Sequence, residues 1–194
     1  MATPSSVCVY CGSSARVNDV YKTAARRLGS GLARAGIEVV YGGGRVGLMG
    51  ILADAALAAG GRVVGIIPGH LQALEVDHSG LSELVVVDTM HERKRMMAER
   101  ADVFLALPGG IGTFEELFEV WTWRQLGYHD KPIGVLNVEN YYDPLLEFLK
   151  ATVEQQFLGD WQMELIRTGT DVLPQLPELV QAAGLVPVAR LEEI

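Results

Sequence analysis

The chain has 194 residues, of which 49% are hydrophobic and 21% are charged, a composition typical of one globular domain and not of a disordered segment. Its 16 basic and 24 acidic residues give a formal net charge of −8, which argues against broad binding to nucleic acid or to an anionic membrane. We therefore expect no nucleic-acid or membrane partner. An anionic small molecule would need a local positive site.

The two cysteines indicate a reducing compartment. Cys8 and Cys11 form a lone C-x-x-C without the second pair of ligands that a zinc site needs, so we expect two buried, unpaired cysteines. On a strand, their odd separation directs the two side chains to opposite faces. The N-terminus lacks the pattern of a signal peptide, and no run approaches the roughly 18 apolar residues of a membrane span. We expect a cytoplasmic protein.

Short apolar, β-branched runs alternate with segments of helical periodicity along the chain. The predicted strands cover residues 7–10, 37–41, 62–67, 84–87, 103–107 and 133–136. The predicted helices cover residues 19–35, 48–59, 91–100, 114–126 and 144–156, and one more helical stretch covers 176–183. This alternation predicts an α/β fold, a single Rossmann-like domain over 1–194 with a doubly wound, open parallel sheet and helices on both faces.

Glycine-rich turns follow three of the predicted strands. Gly12 follows the first strand, residues 42–50 follow the second, and residues 109–112 follow the fifth. In an open parallel sheet, ligands bind at the carboxyl ends of the strands. Backbone N–H groups and helix N-termini attract anions there, so the three turns indicate a site for a phosphate.

The second of these turns formally matches the dinucleotide fingerprint. Gly42, Gly44 and Gly47 have the required spacing, but they follow the second strand and not the first. Residues 66–68, Ile-Ile-Pro, stand where an acid would bind the ribose of a nicotinamide or flavin cofactor. The chain has no P-loop motif either, so we expect no cofactor and no hydrolysis of nucleoside triphosphates.

The stronger signal is the sequence Pro-Gly-Gly-Ile-Gly-Thr-Phe-Glu-Glu over residues 108–116. Gly110 and Gly112 would expose consecutive N–H groups, and Thr113 would add a hydroxyl at a helix N-terminus, which suits a phosphate monoester. An alternative is that Thr113 and Glu116 form only a capping box. Taken alone, the spacing leaves both interpretations open. The preceding Pro-Gly-Gly favours a binding role, since a cap does not require it.

Three adjacent cations lie on the helix that precedes the fifth strand. They are Arg93, Lys94 and Arg95, and such a run is usually a solvated face, as the i, i+4 spacing of Arg95 and Glu99 also indicates. Near the glycine-rich edge of the sheet, however, these cations could supply the positive site of an acidic chain. Spacing alone does not separate the three.

Five motifs in order carry a resemblance to a known family. They are Cys-Gly-Ser-Ser at 11–14, Tyr-Gly-Gly-Gly-x-Val-Gly-Leu-Met-Gly at 41–50, Met-His-Glu-Arg-Lys at 90–94, Pro-Gly-Gly-x-Gly-Thr-x-x-Glu at 108–116, and Gly-Tyr-His-Asp-Lys-Pro at 127–132. The chain resembles the LONELY GUY family of cytokinin riboside 5′-monophosphate phosphoribohydrolases, formerly labelled lysine decarboxylases. The resemblance covers roughly residues 7–160.

The resemblance implies hydrolysis of the N-glycosidic bond of a purine riboside 5′-monophosphate, with release of the free base and ribose 5-phosphate. It implies that Arg93 and Glu116 are catalytic. We expect no metal, because the four histidines, His70, His78, His91 and His129, show no ligand spacing. The substrate-binding residues that it implies are Gly44, Glu75, Lys94, Gly109, Gly110, Ile111, Gly112, Thr113, Phe114, Glu115 and Thr122. It also implies a homodimer, in which Thr122 would serve the neighbouring subunit.

The chemistry of glycosidic cleavage gives the two catalytic residues their expected roles. The reaction develops positive charge on the ribose, and we expect Glu116 to be ionised at neutral pH and to stabilise that charge or orient water. Arg93 would position groups electrostatically, because its pKa exceeds about 12. Two alternatives are a pyridoxal-dependent decarboxylase and a protein that binds nucleoside monophosphates without catalysis. The identity of the base is left open.

The apolar pattern of the helix predicted at 114–126 supports the homodimer. Its apolar residues extend round more than one side, which is more than a contact with one sheet would cover. They are Phe114, Leu117, Phe118, Val120, Trp121, Trp123 and Leu126.

Overall fold

The structure is a computed structural model that describes residues 6–71, 78 and 80–170. In chain order, the elements of this part are β1 (Ser6–Tyr10), α1 (Asp19–Arg34), β2 (Glu38–Tyr41), α2 (Gly47–Ala58), β3 (Val63–Pro68), β4 (Glu83–Val87), α3 (Met90–Arg100), β5 (Val103–Ala106), α4 (Ile111–Gln125), β6 (Ile133–Leu136), a 3₁₀ turn (Val138–Asn140), α5 (Asp143–Glu154), α6 (Asp160–Met163) and β7 (Ile166–Gly169). The predicted stretch 176–183 and Glu75 lie outside the described residues.

The seven strands form one parallel sheet in the order β4-β3-β2-β1-β5-β6-β7. The order runs outward from β1 in one direction and from β5 in the other, so the switch point of the sheet lies between these two strands. In the register of this pair, Cys8 lies opposite Phe104 and Tyr10 lies opposite Ala106. The doubly wound α/β fold is therefore confirmed, and its switch point is where such folds bind ligands.

Helices cover both faces of the sheet, as predicted. On one face, Leu28 of α1 and Leu52 of α2 pack in a core with Val9. On the other face, Met97 of α3 and Trp121 of α4 pack in a core with Phe104. Apolar side chains thus leave β1 and β5 in both directions, which explains why these strands appear in the sequence as continuous apolar runs.

The cysteines behave as the spacing predicts. Cys8 and Cys11 are both buried and unpaired. Cys11 belongs to the core on the side of α1, and Cys8 belongs to the core on the side of α3 and α4. Within residues 6–71, 78 and 80–170, the structure contains no helix of the length and apolar character that a membrane span requires.

The seventh strand is absent from the sequence prediction. β7 pairs with β6 along four residues, Ile166 opposite Ile133 and Gly169 opposite Leu136. Only Ile166 is buried, whereas the Arg-Thr pair at 167–168 is exposed. An edge strand of this kind lacks the apolar run that marks the other strands, because only one residue of it faces the core.

The apolar residues of α4 are mostly covered within the chain. Leu117, Val120 and Trp121 are buried, and Phe114, Phe118 and Trp123 are partly buried against the same core. Leu126 is 61% exposed, and Ile111 at the other end of the helix is 86% exposed. The largely exposed apolar residues of α4 therefore lie at its two ends, and the apolar surface left for a partner is smaller than the sequence pattern indicates.

Candidate active site

A cavity of about 200 Å³ lies at the switch point, above the carboxyl ends of β1 and β5. Its lining residues are Cys11, Gly12, Ser13, Met49, Arg93, Gly110, Ile111, Gly112, Thr113 and Glu116. The structure thus brings together the two predicted catalytic side chains and the glycine-rich turn that follows β5. These groups come from two separate stretches of the chain, at residue 93 and at residues 110–116, and the crossovers of the sheet place them at one site.

The N-terminus of α4 forms one wall of the cavity. The helix begins at Ile111, with the extended Gly110 as its N-cap, and the N–H of Phe114 donates to the Gly110 carbonyl at 3.1 Å. The N–H groups of residues 111–113 precede the first bond of this helix and lie against the cavity. Such a helix end attracts an anion through its N–H groups and its dipole.

The start of α4 excludes the alternative that Thr113 and Glu116 form a capping box. The helix begins three residues before the predicted position, so Thr113 is its third residue and not its cap. The Gly110 N-cap has no side chain, and no side-chain hydrogen bond caps the helix. Glu116 lies a full turn inside the helix, where it is free of a capping role. Because the N-cap is glycine, no side chain occupies the N–H groups of the first turn, and these groups stay accessible to a ligand.

The turn after β5 packs closely against the turn after β1. The Gly12 N–H donates to the Pro108 carbonyl at 3.1 Å. A Cβ atom at Gly109 would overlap the side chain of Thr113 and would lie 2.9 Å from the Gly12 nitrogen. Thr113 is itself buried, with 4% of its surface exposed. Gly109 is therefore needed for this close approach of the two turns.

Arg93 reaches the cavity from α3 and is anchored by backbone groups. Its Nε donates to the Ile66 carbonyl at 3.1 Å, and its Nη2 donates to the Gly42 carbonyl at 2.8 Å. These carbonyls lie near the carboxyl ends of β3 and β2. The side chain is 94% buried, since only 6% of the residue is exposed. A Cβ atom at residue 42 would overlap the guanidinium, so Gly42 makes room for Arg93.

The three adjacent cations of α3 have three different surroundings. Arg95 is exposed and pairs with Glu99 at 3.6 Å, which confirms its predicted position on the solvated face. Lys94 donates to Glu115 and, at 3.0 Å, to Glu119 on α4. Burial lowers the pKa of Lys94, but its hydrogen bonds to the two carboxylates leave that pKa above the ordinary value. Arg93 is the one of these three that lines the cavity.

Glu116 is half-buried in the wall of the cavity, and its environment opposes ionisation. Burial raises the pKa of Glu116 to about 7, against the opposing effect of the Arg93 charge. The neighbouring carboxylates of Glu115 and Glu119 raise this pKa further, whereas Lys94 lowers it. With a pKa of about 7, Glu116 is ionised in only part of the molecules at neutral pH, less than expected from the sequence. Removal from water outweighs the effect of the nearby cations.

The remaining predicted residues lie around this site at different distances. Glu115 is exposed and engaged by Lys94. Phe114 packs its ring edge-on against Tyr142, with 6.1 Å between the ring centroids. Thr122 is exposed near the far end of α4, and Gly44 is buried in the turn after β2. In the described part of the chain, none of these four residues lines the cavity.

Gly12 lines the cavity, as expected for a glycine-rich turn at the phosphate site. Cys11, Ser13 and Met49 also line it, although the sequence analysis did not assign them to the site. Cys11 and Ser13 flank Gly12 at the switch point, so the topology of the sheet could have placed them there, whereas Met49 lies in an apolar helix, a pattern typical of core residues. In the described part of the chain, we find no group of three or more His, Cys, Asp or Glu residues that could hold a metal ion.

The fold and this site define a Rossmann-like α/β protein that can take an anionic ligand at the switch point of its sheet. A family model described as "Possible lysine decarboxylase" matches residues 49–178. The chain is 45% identical over 175 residues to the cytokinin riboside 5′-monophosphate phosphoribohydrolase LOG2 of Arabidopsis thaliana, covering 90% of this chain and 80% of that protein. The chain belongs to the LONELY GUY family, as the motifs predict.

A bacterial relative and a solved structure extend the comparison. The chain is 50% identical over 157 residues to the cytokinin riboside 5′-monophosphate phosphoribohydrolase of Rhodococcoides fascians, covering 80% of this chain and 79% of that protein. The molybdenum cofactor carrier protein of Chlamydomonas reinhardtii superposes with a TM-score of 0.71 at 20% identity, covering 95% of this chain and all of that one. At that identity, only the fold is shared.

Proposed function

We propose that this protein hydrolyses the N-glycosidic bond of a purine riboside 5′-monophosphate of the cytokinin type and releases the free base and ribose 5-phosphate. The observation that carries the proposal is the shared cavity, in which the Glu116 carboxyl, the Arg93 guanidinium and the N-terminus of α4 line one space. The names of the relatives support the same activity.

The N-terminus of α4 would hold the 5′-phosphate. Residues 110–113 offer backbone N–H groups and the Thr113 hydroxyl on one wall of the cavity, and this arrangement suits a single dianionic phosphate. Binding energy from the phosphate would place C1′ of the ribose near Glu116. We expect the phosphate to affect the rate of cleavage as well as the affinity.

Glu116 would act as a carboxylate toward water and the ribose. As the bond between C1′ and the base nitrogen breaks, positive charge develops on C1′ and the ring oxygen. An ionised Glu116 would stabilise this charge and accept a proton from the water whose oxygen bonds to C1′, while the base nitrogen leaves with the bonding electron pair. The base nitrogen then takes up a proton from solvent and Glu116 gives its proton to solvent, so that the free base is released and the carboxylate is restored. Arg93 favours the ionised form of Glu116. Its own high pKa excludes it as an efficient proton donor.

The older description of the family as a lysine decarboxylase finds little support in this cavity. A pyridoxal-dependent enzyme needs a lysine that forms a Schiff base beside its substrate. Among the described residues, no lysine lines the cavity, and Lys94 on the adjacent helix is engaged by Glu115 and Glu119. Hydrolysis at a carboxylate therefore accounts better for the residues that are present.

The roles of the surrounding residues belong to the same proposal. Lys94 and Glu115 would hold α3 and α4 together beside the catalytic groups. The protein would act as a homodimer in the cytoplasm, with exposed Ile111 and Leu126 at the ends of α4 as candidate contacts. Thr122 on the same helix would then face the partner's site. The unpaired state of the two buried cysteines is consistent with a reducing compartment.

A panel of nucleotides tests this function directly. We expect adenosine 5′-monophosphate and its N6-isopentenyl derivative to yield free base and ribose 5-phosphate, with kcat/KM far above that of the nucleosides and triphosphates. Equal cleavage of nucleosides and monophosphates would contradict the phosphate role of residues 110–113. If monophosphates bind in a calorimeter but release no base, the protein is a binding protein and the hydrolase proposal is wrong.

A further inference from the structure

The turn that connects β5 to α4 has three consecutive carbonyls that accept hydrogen bonds from other parts of the chain. The pairs are Tyr142 Oη to the Leu107 carbonyl at 2.7 Å, the Gly12 N–H to the Pro108 carbonyl at 3.1 Å, and Tyr141 Oη to the Gly109 carbonyl at 2.6 Å. Two adjacent tyrosines after β6 therefore hold the turn at both ends. The predicted phosphate-binding groups follow immediately after it.

The bond from Tyr141 has a consequence that the bond from Tyr142 lacks. In a trans peptide, the C=O of one residue and the N–H of the next point in opposite directions. Fixing the Gly109 carbonyl therefore also fixes the direction of the Gly110 N–H. The corresponding bond from Tyr142 fixes the peptide between Leu107 and Pro108, and proline has no N–H.

Tyr141 and Glu116 line two different cavities that share Gly110. Tyr141 lies in the wall of a second cavity of about 250 Å³ that is mostly apolar, and its ring packs edge-on against Tyr21 at 5.8 Å between centroids. Because the Gly109 carbonyl is held toward Tyr141, the Gly110 N–H points away from the Tyr141 hydroxyl. No partner for this N–H is found in the described part of the chain.

The segment before the two tyrosines has an unusual backbone conformation that hydrogen bonds hold in place. Glu139 and Asn140 have positive φ angles of 52° and 58°, a left-handed conformation that side-chain residues adopt rarely. The side-chain oxygen of Asn137 accepts the Tyr142 N–H at 2.7 Å, and its amide nitrogen donates to Asp143 at 2.6 Å. Such disfavoured backbone persists only where surrounding bonds fix it.

We propose that Tyr141 is a positioning residue for the 5′-phosphate, because its hydroxyl orients the Gly110 N–H toward the anion. This inference rests on the proposed function of the same site. The hydrogen bond to the Gly109 carbonyl also polarises the peptide, which makes the Gly110 N–H a stronger donor to a dianion. Tyr142 stabilises the end of β5 but presents no N–H to a ligand.

Calorimetric titration with ribose 5-phosphate tests the inference without requiring turnover. Tyr141→Phe should weaken the affinity about tenfold, the effect of one misdirected hydrogen bond to a charged group. Tyr142→Phe should lower the melting temperature by several degrees, because loss of the buried hydroxyl leaves the Leu107 carbonyl without its hydrogen bond. It should change the affinity for ribose 5-phosphate by less than about threefold. Tyr128→Phe, at a residue 78% exposed, is the matched control that leaves both unchanged.

The outcomes separate the two proposals. A Tyr141→Phe variant with wild-type affinity for ribose 5-phosphate overturns the positioning role, and so does an equal loss of affinity in Tyr141→Phe and Tyr142→Phe. If the wild-type protein binds ribose 5-phosphate but cleaves no monophosphate, the proposed hydrolysis fails while the tyrosine comparison still decides the positioning role. If wild-type protein does not bind ribose 5-phosphate, the positioning role is also wrong.

Discussion

Replacing Glu116 by glutamine keeps the size of the side chain but removes its charge, and it should stabilise the protein while it abolishes activity. Burial raises the pKa of Glu116 from 4.5 to about 7. Between these values the folded state binds more protons than the unfolded state, so the free energy of unfolding falls as the pH rises through this window. Each pKa unit corresponds to about 1.4 kcal/mol, which gives a cost of about 3 kcal/mol above pH 7.

Urea unfolding of the wild type and Glu116→Gln at pH 4.5 and pH 8, at one protein concentration, measures this cost. We expect the variant to gain up to about 3 kcal/mol relative to the wild type at pH 8 and little at pH 4.5. Glu99→Gln is the matched control, because Glu99 is exposed and its ion pair with Arg95 contributes about 0–1 kcal/mol. A pH-independent difference between wild type and Glu116→Gln would refute the argument from burial.

The same variant separates stability from catalysis. Glutamine cannot accept a proton or offset a developing cation, so base release should fall by a factor of about 100 or more. In the wild type, kcat/KM should rise with pH and level off above about 7, where the Glu116 pKa lies. A Glu116→Gln variant that retains most of its kcat would contradict the catalytic role.

Two further predictions concern the cations of α3 and the oligomeric state. Arg93→Ala should reduce kcat/KM by about 100-fold, because Arg93 lines the cavity. Arg95→Ala should leave kcat/KM nearly unchanged, because Arg95 faces solvent. Equal losses in the two variants would instead indicate a general positive patch. Light scattering at assay concentration should give the mass of two chains, and a stable, active monomer would exclude both the homodimer and the role of Thr122 across subunits.

The fold was largely predictable because its strands and helices have strong local patterns. The buried strands are short apolar runs and alternate with helical segments, so the alternation alone predicts the parallel sheet. β7 was not predictable in this way, since only Ile166 of its four residues is buried. The order of the strands was not predicted, and in the structure it explains why the glycine-rich turns meet at one edge.

The residues of the site were predictable from the sequence, whereas their pKa values and supporting hydrogen bonds were not. The motifs predicted Arg93, Glu116 and residues 110–113, and in the structure these residues line one cavity. The start of α4 was missed because Gly110 caps it through backbone conformation, which has no side-chain signal. The raised pKa of Glu116 depends on burial that arises from tertiary packing. Likewise, the supporting role inferred for Tyr141 depends on two segments that are 32 residues apart.

The contact between Gly42 and Arg93 changes how the second glycine-rich turn should be interpreted in other chains. Its spacing imitates a dinucleotide fingerprint, yet the space above Gly42 is taken by a guanidinium from the same molecule. Residues 42 and 93 are therefore a coupled pair, 51 positions apart. A side chain at 42 is incompatible with this placement of the arginine, so a chain that acquires one should lose the arginine's role as well. In this chain, therefore, the glycine spacing of the second turn serves to admit Arg93, and is not a sign of a dinucleotide site.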